Sequence, residues 1–407
     1  MVTDAFHALP LSKSQLSLAV VLRCGQSFRW SIYPLSSSCS DTSVLQPTHE
    51  YRLCLKDRLV CLRQSSDTLF YRAVFPDSQQ TATQIALRDA ETLVWLKDYF
   101  QLDVDLEKLY DTWSAQDAVF ATFKDRFGGI RMLRQDPWEN LLSFICSSNN
   151  NISRITNMVQ NLCKHYSPPL LSLAQPHSTE TKTYYPFPPP SVLAEDSVRT
   201  TLRTLGFGYR AEFVQRTARM LFQTHGSSAL PNDPTEASER WLKGLRSKST
   251  ADARQELLQF IGVGRKVADC VLLMSLDKKE VIPVDTHVHQ IAIKYYGLKA
   301  SSKVKINMTP KLYEEMNLKF LSIWGDYAGW AHSVLFTADL KSFASYGVLP
   351  TSPSTRKTQR NTGKKDTATS HVPSLPSPSK RKKEPSPEAD PAGLAERVKR
   401  RRSHQND

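Results

Sequence analysis

The stretch FIGVGRKVADC, residues 260–270, decides how the second half of the chain is read. Arg254 to Phe260 reads as a helix, Ile261 to Gly264 as a turn, and Arg265 to about Leu276 as a second helix. Gly262 and Gly264 permit a tight reversal and leave no side chain in the way of an approaching ligand. The first amides of the second helix have no partner within it and are electropositive. Such a hairpin is a ready phosphate clamp, although the G-x-x-x-x-G-K-[ST] spacing of a nucleotide-binding loop is absent. An ordinary loop explains the two glycines equally well at this point.

Lys266 adds chemistry. An amine attacks only when neutral, and at a reference pKa of about 10.4 roughly one lysine in two thousand is neutral at pH 7. A helix N-terminus and partial burial both disfavour the ammonium, so this position favours a nucleophile. Cys270, four residues on, falls on the same helical face and is expected in the same pocket. A plain basic residue beside a phosphate remains open as the alternative.

Further on, VIPVDTHVHQIA (281–292) places Asp285 after an extended run and before a helical pattern, the position of an N-cap. A capping carboxylate stays ionised and stabilises positive charge nearby. His287 and His289 invite a metal reading with Asp285, but their spacing scatters the side chains around the helix axis and lacks zinc-ligand intervals, so no metal is expected. A neutral lysine and a fixed carboxylate in one cleft suit attack at an electron-poor, oxocarbenium-like carbon.

Towards the N-terminus the periodicity changes. Residues 1 to about 130 carry short alternating runs, YRLCL, RLVCLR and DTLFYRAVF, broken at KD and SSD, with QSFRW (26–30) as an earlier strand: an antiparallel sheet domain. From 131 to 345 a helical domain is expected. In PWENLLSFICSS the residues Trp138, Leu141, Leu142 and Ile145 form a helical stripe, and Asn149, Asn150 and Asn151 interrupt it. Ile152, Ile155, Val159 and Leu162 resume it, giving a helical hairpin. The Pro-rich stretch 167–191 reads as a loop or extended connection. The fold class is therefore α+β.

The chain has 407 residues and a formal net charge of +13, with 40% apolar residues, enough for two or three domains with a sizeable core. Most of the excess charge lies late: residues 351–407 hold 14 Lys/Arg against 6 Asp/Glu. With abundant Pro, Ser and Thr and few aromatics, residues 346–407 are expected to be disordered. KRKK (Lys380–Lys383) and RVKRRR (Arg397–Arg402) look like signals for a nuclear-import receptor or a polyanion, or simply a solubilising tail. No apolar run approaches a membrane span, and secretion is not expected. The seven scattered cysteines read as reduced intracellular thiols.

Several ordered blocks carry a resemblance: GQSFRW, YFQLDVDLEKLY, RMLRQDPWENLLSFICSSNNNISRI, LGFGYRAEFV, GVGRKVADCVLLMSLDKKEVIPVDTHVHQIA and WGDYAGWAHSVLFTADL. Together, over residues 10–345, they resemble the helix-hairpin-helix DNA base-excision glycosylases, and within them the eukaryotic 8-oxoguanine DNA glycosylase/AP lyases. The resemblance implies an N-terminal antiparallel domain related to the TATA-binding-protein fold and two helical subdomains with the active site between them. It implies an enzyme acting on double-stranded DNA. Cys54 and Cys61 are not followed by a C-x-x-C and no cysteine lies beyond Cys270, so no iron–sulfur cluster or other cofactor is expected, and the basic clusters suggest a nuclear protein, with a mitochondrial form as an additional possibility. Nothing points to self-association.

The same resemblance implies the site. Lys266 displaces the oxidised base and forms a Schiff base with the sugar, after which β-elimination cuts the strand; Asp285 stabilises charge and assists proton transfer. The Gly25 carbonyl distinguishes the N7 hydrogen of oxidised guanine from the lone pair of guanine. Cys270 and Phe336 sandwich the extruded base, with His287 in the same substrate-binding set. Asn149 fills the vacated space, Arg154 and Arg210 read the opposite cytosine, and Tyr209 wedges the duplex. From local pattern alone, these last four are a turn former, surface charges and a core aromatic. Two positions depart from the family pattern. Ile261 stands where relatives usually carry proline, and His332 where they commonly carry glutamine to read the Watson–Crick edge; neutral imidazole offers one donor and one acceptor in a different geometry. The alternatives are a non-catalytic DNA-binding protein that uses the hairpin for phosphate contacts, and an alkylated-base glycosylase of the same fold, which Lys266 disfavours.

Overall fold

The computed structural model describes residues 5–35, 46–76, 81–226, 235–298 and 308–347. The basic clusters Lys380–Lys383 and Arg397–Arg402, and the expected tail from 348 onward, lie outside the described residues. Strands β1 (His7–Pro10), β2 (Ser31–Pro34), β3 (His49–Cys54), β4 (Leu59–Gln64) and β5 (Thr68–Val74) form an antiparallel sheet in the order β1-β5-β4-β3-β2. The two sequence breaks are its tight turns. Leu55 N donates to Arg58 O at 2.8 Å, and Ser65 N to Thr68 O at 3.0 Å.

Alternation sends Tyr51, Leu53, Val60, Leu62, Leu69 and Tyr71 to one face, where they pack on Leu96, Tyr99 and Phe100 at the end of the Ala82–Tyr99 helix. The opposite face is covered too. The Pro-rich stretch, expected as a loop or extended connection, contains a two-stranded hairpin, β6 (Leu171–Ala174) with β7 (Thr181–Tyr184). Leu171, Leu173 and Tyr184 cluster with Cys54, Leu59, Cys61 and Val74, and Arg52 Nη1 donates to Ala174 O at 2.8 Å. Because that face is closed off, Glu50 is fully buried, and the guanidinium groups of Arg52 and Arg63 supply its partners at 2.6 and 2.8 Å.

QSFRW is not a strand; β2 starts after it, at Ser31. Side-chain bonds replace the ladder here. Gln26 Nε2 donates to Arg131 O at 3.1 Å, its Oε1 accepts from Leu133 N at 3.0 Å, and Gln135 Nε2 donates to Gln26 O at 2.8 Å. These bonds pin the chain beside Gly25 to the extended segment 131–135.

The helices that follow match the expected periodicities. Pro137–Ile145 starts at an Asp136 N-cap and buries Trp138, Leu141, Leu142 and Ile145; Ile152–Tyr166 starts at an Asn151 N-cap. The hairpin consists of Thr250–Leu258, a turn, and Arg265–Ser275. Two apolar cores lie side by side. One gathers residues of Pro137–Ile145, Ile152–Tyr166, Arg210–His225 and the hairpin. The other gathers residues of Leu106–Gln116, Thr286–Tyr296, Pro310–Trp324 and Ala328–Asp339. The Arg265–Ser275 helix belongs to both, sending Val267, Cys270 and Val271 into the first and Leu273 into the second. No described helix is long and apolar enough to cross a membrane.

Candidate active site

At the seam between those cores lies a small cavity of about 60 Å³, bordered by Gly25, Lys266, Cys270, Asp285, His332 and Phe336. Each reaches it for a local reason. Lys266 sits in the first turn of its helix, two residues after the Gly264 N-cap, and Cys270 follows one turn later on the same face. His332 and Phe336 are related in the same way on the Ala328–Asp339 helix, their rings 6.1 Å apart. Asp285 caps Thr286–Tyr296, its Oδ1 accepting from His287 N and Val288 N, both at 2.9 Å. Gly25 has φ +89°, a left-handed conformation that glycine adopts freely, and a Cβ there would stand 3.0 Å from Ile152 Cδ1.

The turn before Lys266 is braced from one helix. Gly262 has φ +83°, and an added Cβ would fall 2.6 Å from the Phe213 ring; Thr217 Oγ1 donates to Ile261 O at 2.9 Å. That bond holds the turn at Ile261. Gly264 is exposed, with nothing near its missing side chain, so the amides that follow it are approachable.

Lys266 Nζ donates to Ser147 Oγ at 3.3 Å and lies 5.0 Å above the Phe144 ring. Local pattern did not single out Ser147 or Phe144, which stand more than a hundred residues away in the chain. Burial pushes the Cys270 thiol up to about 11, with the Lys266 ammonium pulling it back. The sulfur therefore stays protonated at neutral pH and offers a polarisable surface rather than a nucleophile.

His332 is 5% exposed and its Nε2 has no hydrogen-bond partner among the described residues. Burial lowers it to about 4; Asp285 pulls the other way and His287 adds slightly to the lowering. The ring is thus neutral throughout pH 6–8. The depressed value also acts on stability. Below about pH 6.5 the unfolded imidazole takes a proton that the native one refuses, so this contribution is complete above 6.5 and is lost as pH falls towards 4. At pH 5 the loss is about 2 kcal/mol. Denaturant titrations at pH 7.5 and 5 should show a correspondingly smaller decline for His332→Gln than for the parent; equal declines would refute the assignment.

The helix carrying His332 and Phe336 is docked through Gly329. Its N–H donates to Lys279 O at 3.0 Å, and an added Cβ would stand 2.3 Å from Val281 O and 2.8 Å from Lys279 O. Backbone atoms cannot step aside cheaply. Gly329→Ala should cost on the order of 1–3 kcal/mol in urea unfolding, and an unchanged midpoint would show that the helix relaxes without cost.

The other residues assigned from sequence form a second group beside the cavity. Asn149 is exposed with φ +48°, a conformation Asn tolerates better than most residues. Its neighbours hold that turn: Tyr209 Oη and Arg210 Nε each donate to Ser148 O at 3.1 Å, and Arg210 Nη2 donates to Ser148 O and Asn149 O. Arg210 is buried and engaged with these carbonyls, whereas Tyr209 is 50% exposed. Arg154 is exposed and donates to Gly206 O at 3.1 Å. His287 stands edge-on to Phe336 at 5.0 Å, with Nε2 3.2 Å from Asp339 Oδ2 but outside hydrogen-bonding geometry. His289 is buried away from it.

A larger cleft of about 160 Å³, bordered by Arg29, Cys54, Cys163 and Lys182, lacks comparable chemistry. Two of its cations are already engaged, Arg29 by Glu139 at 2.7 and 2.9 Å and Lys182 by Ser31 at 3.0 Å.

Residues 8–141 match the family model of the 8-oxoguanine DNA glycosylase N-terminal domain, and residues 142–315 that of the HhH-GPD superfamily of base-excision DNA repair proteins. The N-glycosylase/DNA lyase of Saccharomyces cerevisiae is 36% identical over 352 residues, covering 82% of this chain and 86% of the yeast protein. The N-glycosylase/DNA lyase OGG1 of Arabidopsis thaliana is 34% identical over 340 residues, covering 83% and 81%. The solved structure of MBOgg1 in complex with a low-affinity DNA ligand superposes with a TM-score of 0.59 at 27% identity, covering 82% of this chain and 97% of that one. With its antiparallel sheet, its helical hairpin and a lysine and a carboxylate on one cavity, the chain belongs to the eukaryotic 8-oxoguanine type of helix-hairpin-helix N-glycosylase/DNA lyases.

Proposed function

We propose that this enzyme removes 8-oxoguanine, and ring-opened formamidopyrimidine purines, from opposite cytosine in double-stranded DNA. The observation that carries the reading is the convergence of Lys266, Asp285, Cys270 and Phe336 on one cavity. The damaged nucleotide leaves the stack, and its base enters between the Cys270 sulfur and the Phe336 ring. The Gly25 carbonyl accepts from the N7 hydrogen that guanine lacks. Asn149 takes the place of the extruded base, while Tyr209, Arg154 and Arg210 shape the face that meets the opposite strand.

Neutral Lys266 Nζ attacks the sugar C1′ as the C1′–N9 bond breaks, and the base departs as an anion that takes up a proton. The Asp285 carboxylate stabilises the positive charge gathering on the sugar. The ring opens to an imine between Nζ and C1′, which acidifies C2′; loss of a C2′ proton expels the 3′ phosphate and cuts the strand. Gly262 and Gly264 present backbone to a phosphate of the bound duplex. The basic clusters at Lys380–Lys383 and Arg397–Arg402 support a nuclear location reached through an import receptor.

The test uses a duplex with 8-oxoguanine opposite cytosine, incubated with the full chain and sodium borohydride. The expected result is a covalent protein–DNA product, with faster base release opposite cytosine than opposite adenine. Tight duplex binding without any trapped product would overturn the lysine chemistry, and preferential release of alkylated bases would overturn the substrate.

A further inference from the structure

The proposed reaction needs Lys266 and Asp285 at a set separation, yet they stand on different helices joined by the loop 276–284. Between the two arms lies Tyr313, on the Pro310–Trp324 helix and 4% exposed. Its hydroxyl donates to Asp269 Oδ2 at 2.6 Å and accepts from Val284 N at 3.0 Å. Asp269 lies on the lysine helix one turn from Lys266, and Val284 immediately precedes Asp285. A single oxygen atom therefore touches both catalytic arms.

The surroundings fix that oxygen. Asp269 is fully buried, its Oδ1 accepting from Arg254 Nε at 2.7 Å and its Oδ2 from Arg265 Nε at 3.2 Å. The Arg265 guanidinium lies 4.8 Å over the Tyr313 ring. Burial, reinforced by the Asp269 carboxylate, holds the Tyr313 phenol well above its ordinary value, so it remains a donor. One turn along the same helix, Asn317 Oδ1 accepts from Ile282 N at 3.4 Å, a second tie to the loop. Neither Tyr313 nor Asp269 borders the cavity.

We propose that Tyr313 is a positioning residue that sets the spacing of Lys266 and Asp285 through the chain Asp269–Tyr313–Val284; this rests on the reading of Lys266 as nucleophile. Tyr313→Phe keeps the ring and its packing but leaves Asp269 Oδ2 and Val284 N each short of one partner. The two arms are then free to drift, and displacement of reacting groups by a fraction of an ångström lowers rate without lowering affinity.

The experiment compares the full-length parent, Tyr313→Phe, Asp269→Asn and Tyr110→Phe. Tyr110 is an equally buried tyrosine whose hydroxyl donates to Phe127 O at 2.8 Å, far along the chain from either arm. Four quantities are read: single-turnover base release opposite cytosine, borohydride trapping on DNA with a preformed abasic site, duplex Kd and Tm. Tyr313→Phe is expected to slow base release and trapping by about tenfold with Kd unchanged, and Asp269→Asn to shift both in the same direction. Tyr110→Phe should lose comparable Tm while keeping both rates. Parent-like rates in Tyr313→Phe, or equal slowing in Tyr110→Phe, would overturn the positioning role. Should the parent itself give no trapped product, the nucleophile reading fails, and the base-release comparison alone still decides whether Tyr313 positions the site.

Discussion

Lys266→Gln should eliminate the borohydride-trapped product and reduce base release by at least about 10³-fold, while duplex affinity and Tm stay close to those of the parent. Glutamine keeps most of the side-chain length and gives up one long hydrogen bond, from Lys266 Nζ to Ser147 Oγ at 3.3 Å. The amide nitrogen has no available lone pair for attack at C1′ and forms no imine. Losing the ammonium over Phe144 costs a modest cation–π contact, on the order of 1 kcal/mol. Activity and stability should therefore separate cleanly. The measurements are gel quantification of covalent complex, single-turnover excision and thermal unfolding on the same preparations. Persistent trapping would mean that another amine attacks, and collapse of Tm in parallel with activity would mean that Lys266 supports the fold.

Asp285 calls for a subtler comparison, because its carboxylate has two jobs. Its Oδ1 accepts from His287 N and Val288 N, and it also borders the cavity beside Lys266. Asparagine is as good an N-cap as aspartate, so Asp285→Asn removes the charge and keeps the cap. Excision should fall by about 10²–10³-fold with stability within about 0.5 kcal/mol of the parent. Asp285→Ala removes both functions and should lose about 1 kcal/mol of stability in addition. If the Asn variant excises at the parental rate, the carboxylate serves only the helix.

Legibility in the sequence followed the distance over which each signal acts. The hairpin, the Cys270 register and the Asp285 cap were all readable because glycine freedom, the helical repeat and capping are local effects. Gly25, His332 and Phe336 came from ordered blocks of resemblance, since nothing in their own neighbourhoods singles them out. Ser147, Phe144 and Tyr313 were not legible at all; their partners lie 119, 122 and up to 44 positions away, and only folding joins them. QSFRW misled because an alternating run resembles a strand even where a glutamine side chain takes over the backbone's bonding. The β6–β7 hairpin escaped for the opposite reason: its strands have four residues each and lie among prolines.

The lysine helix forms a wall of both apolar cores. Consequently the two helical halves are not interchangeable modules, since parting them anywhere near Gly264 would strip one interior of its lining. Substitutions that loosen either side, however far from the cavity, converge on the backbone that carries Lys266. Heritable variation in the two interiors is thus coupled: they must change together for the amine to stay in place.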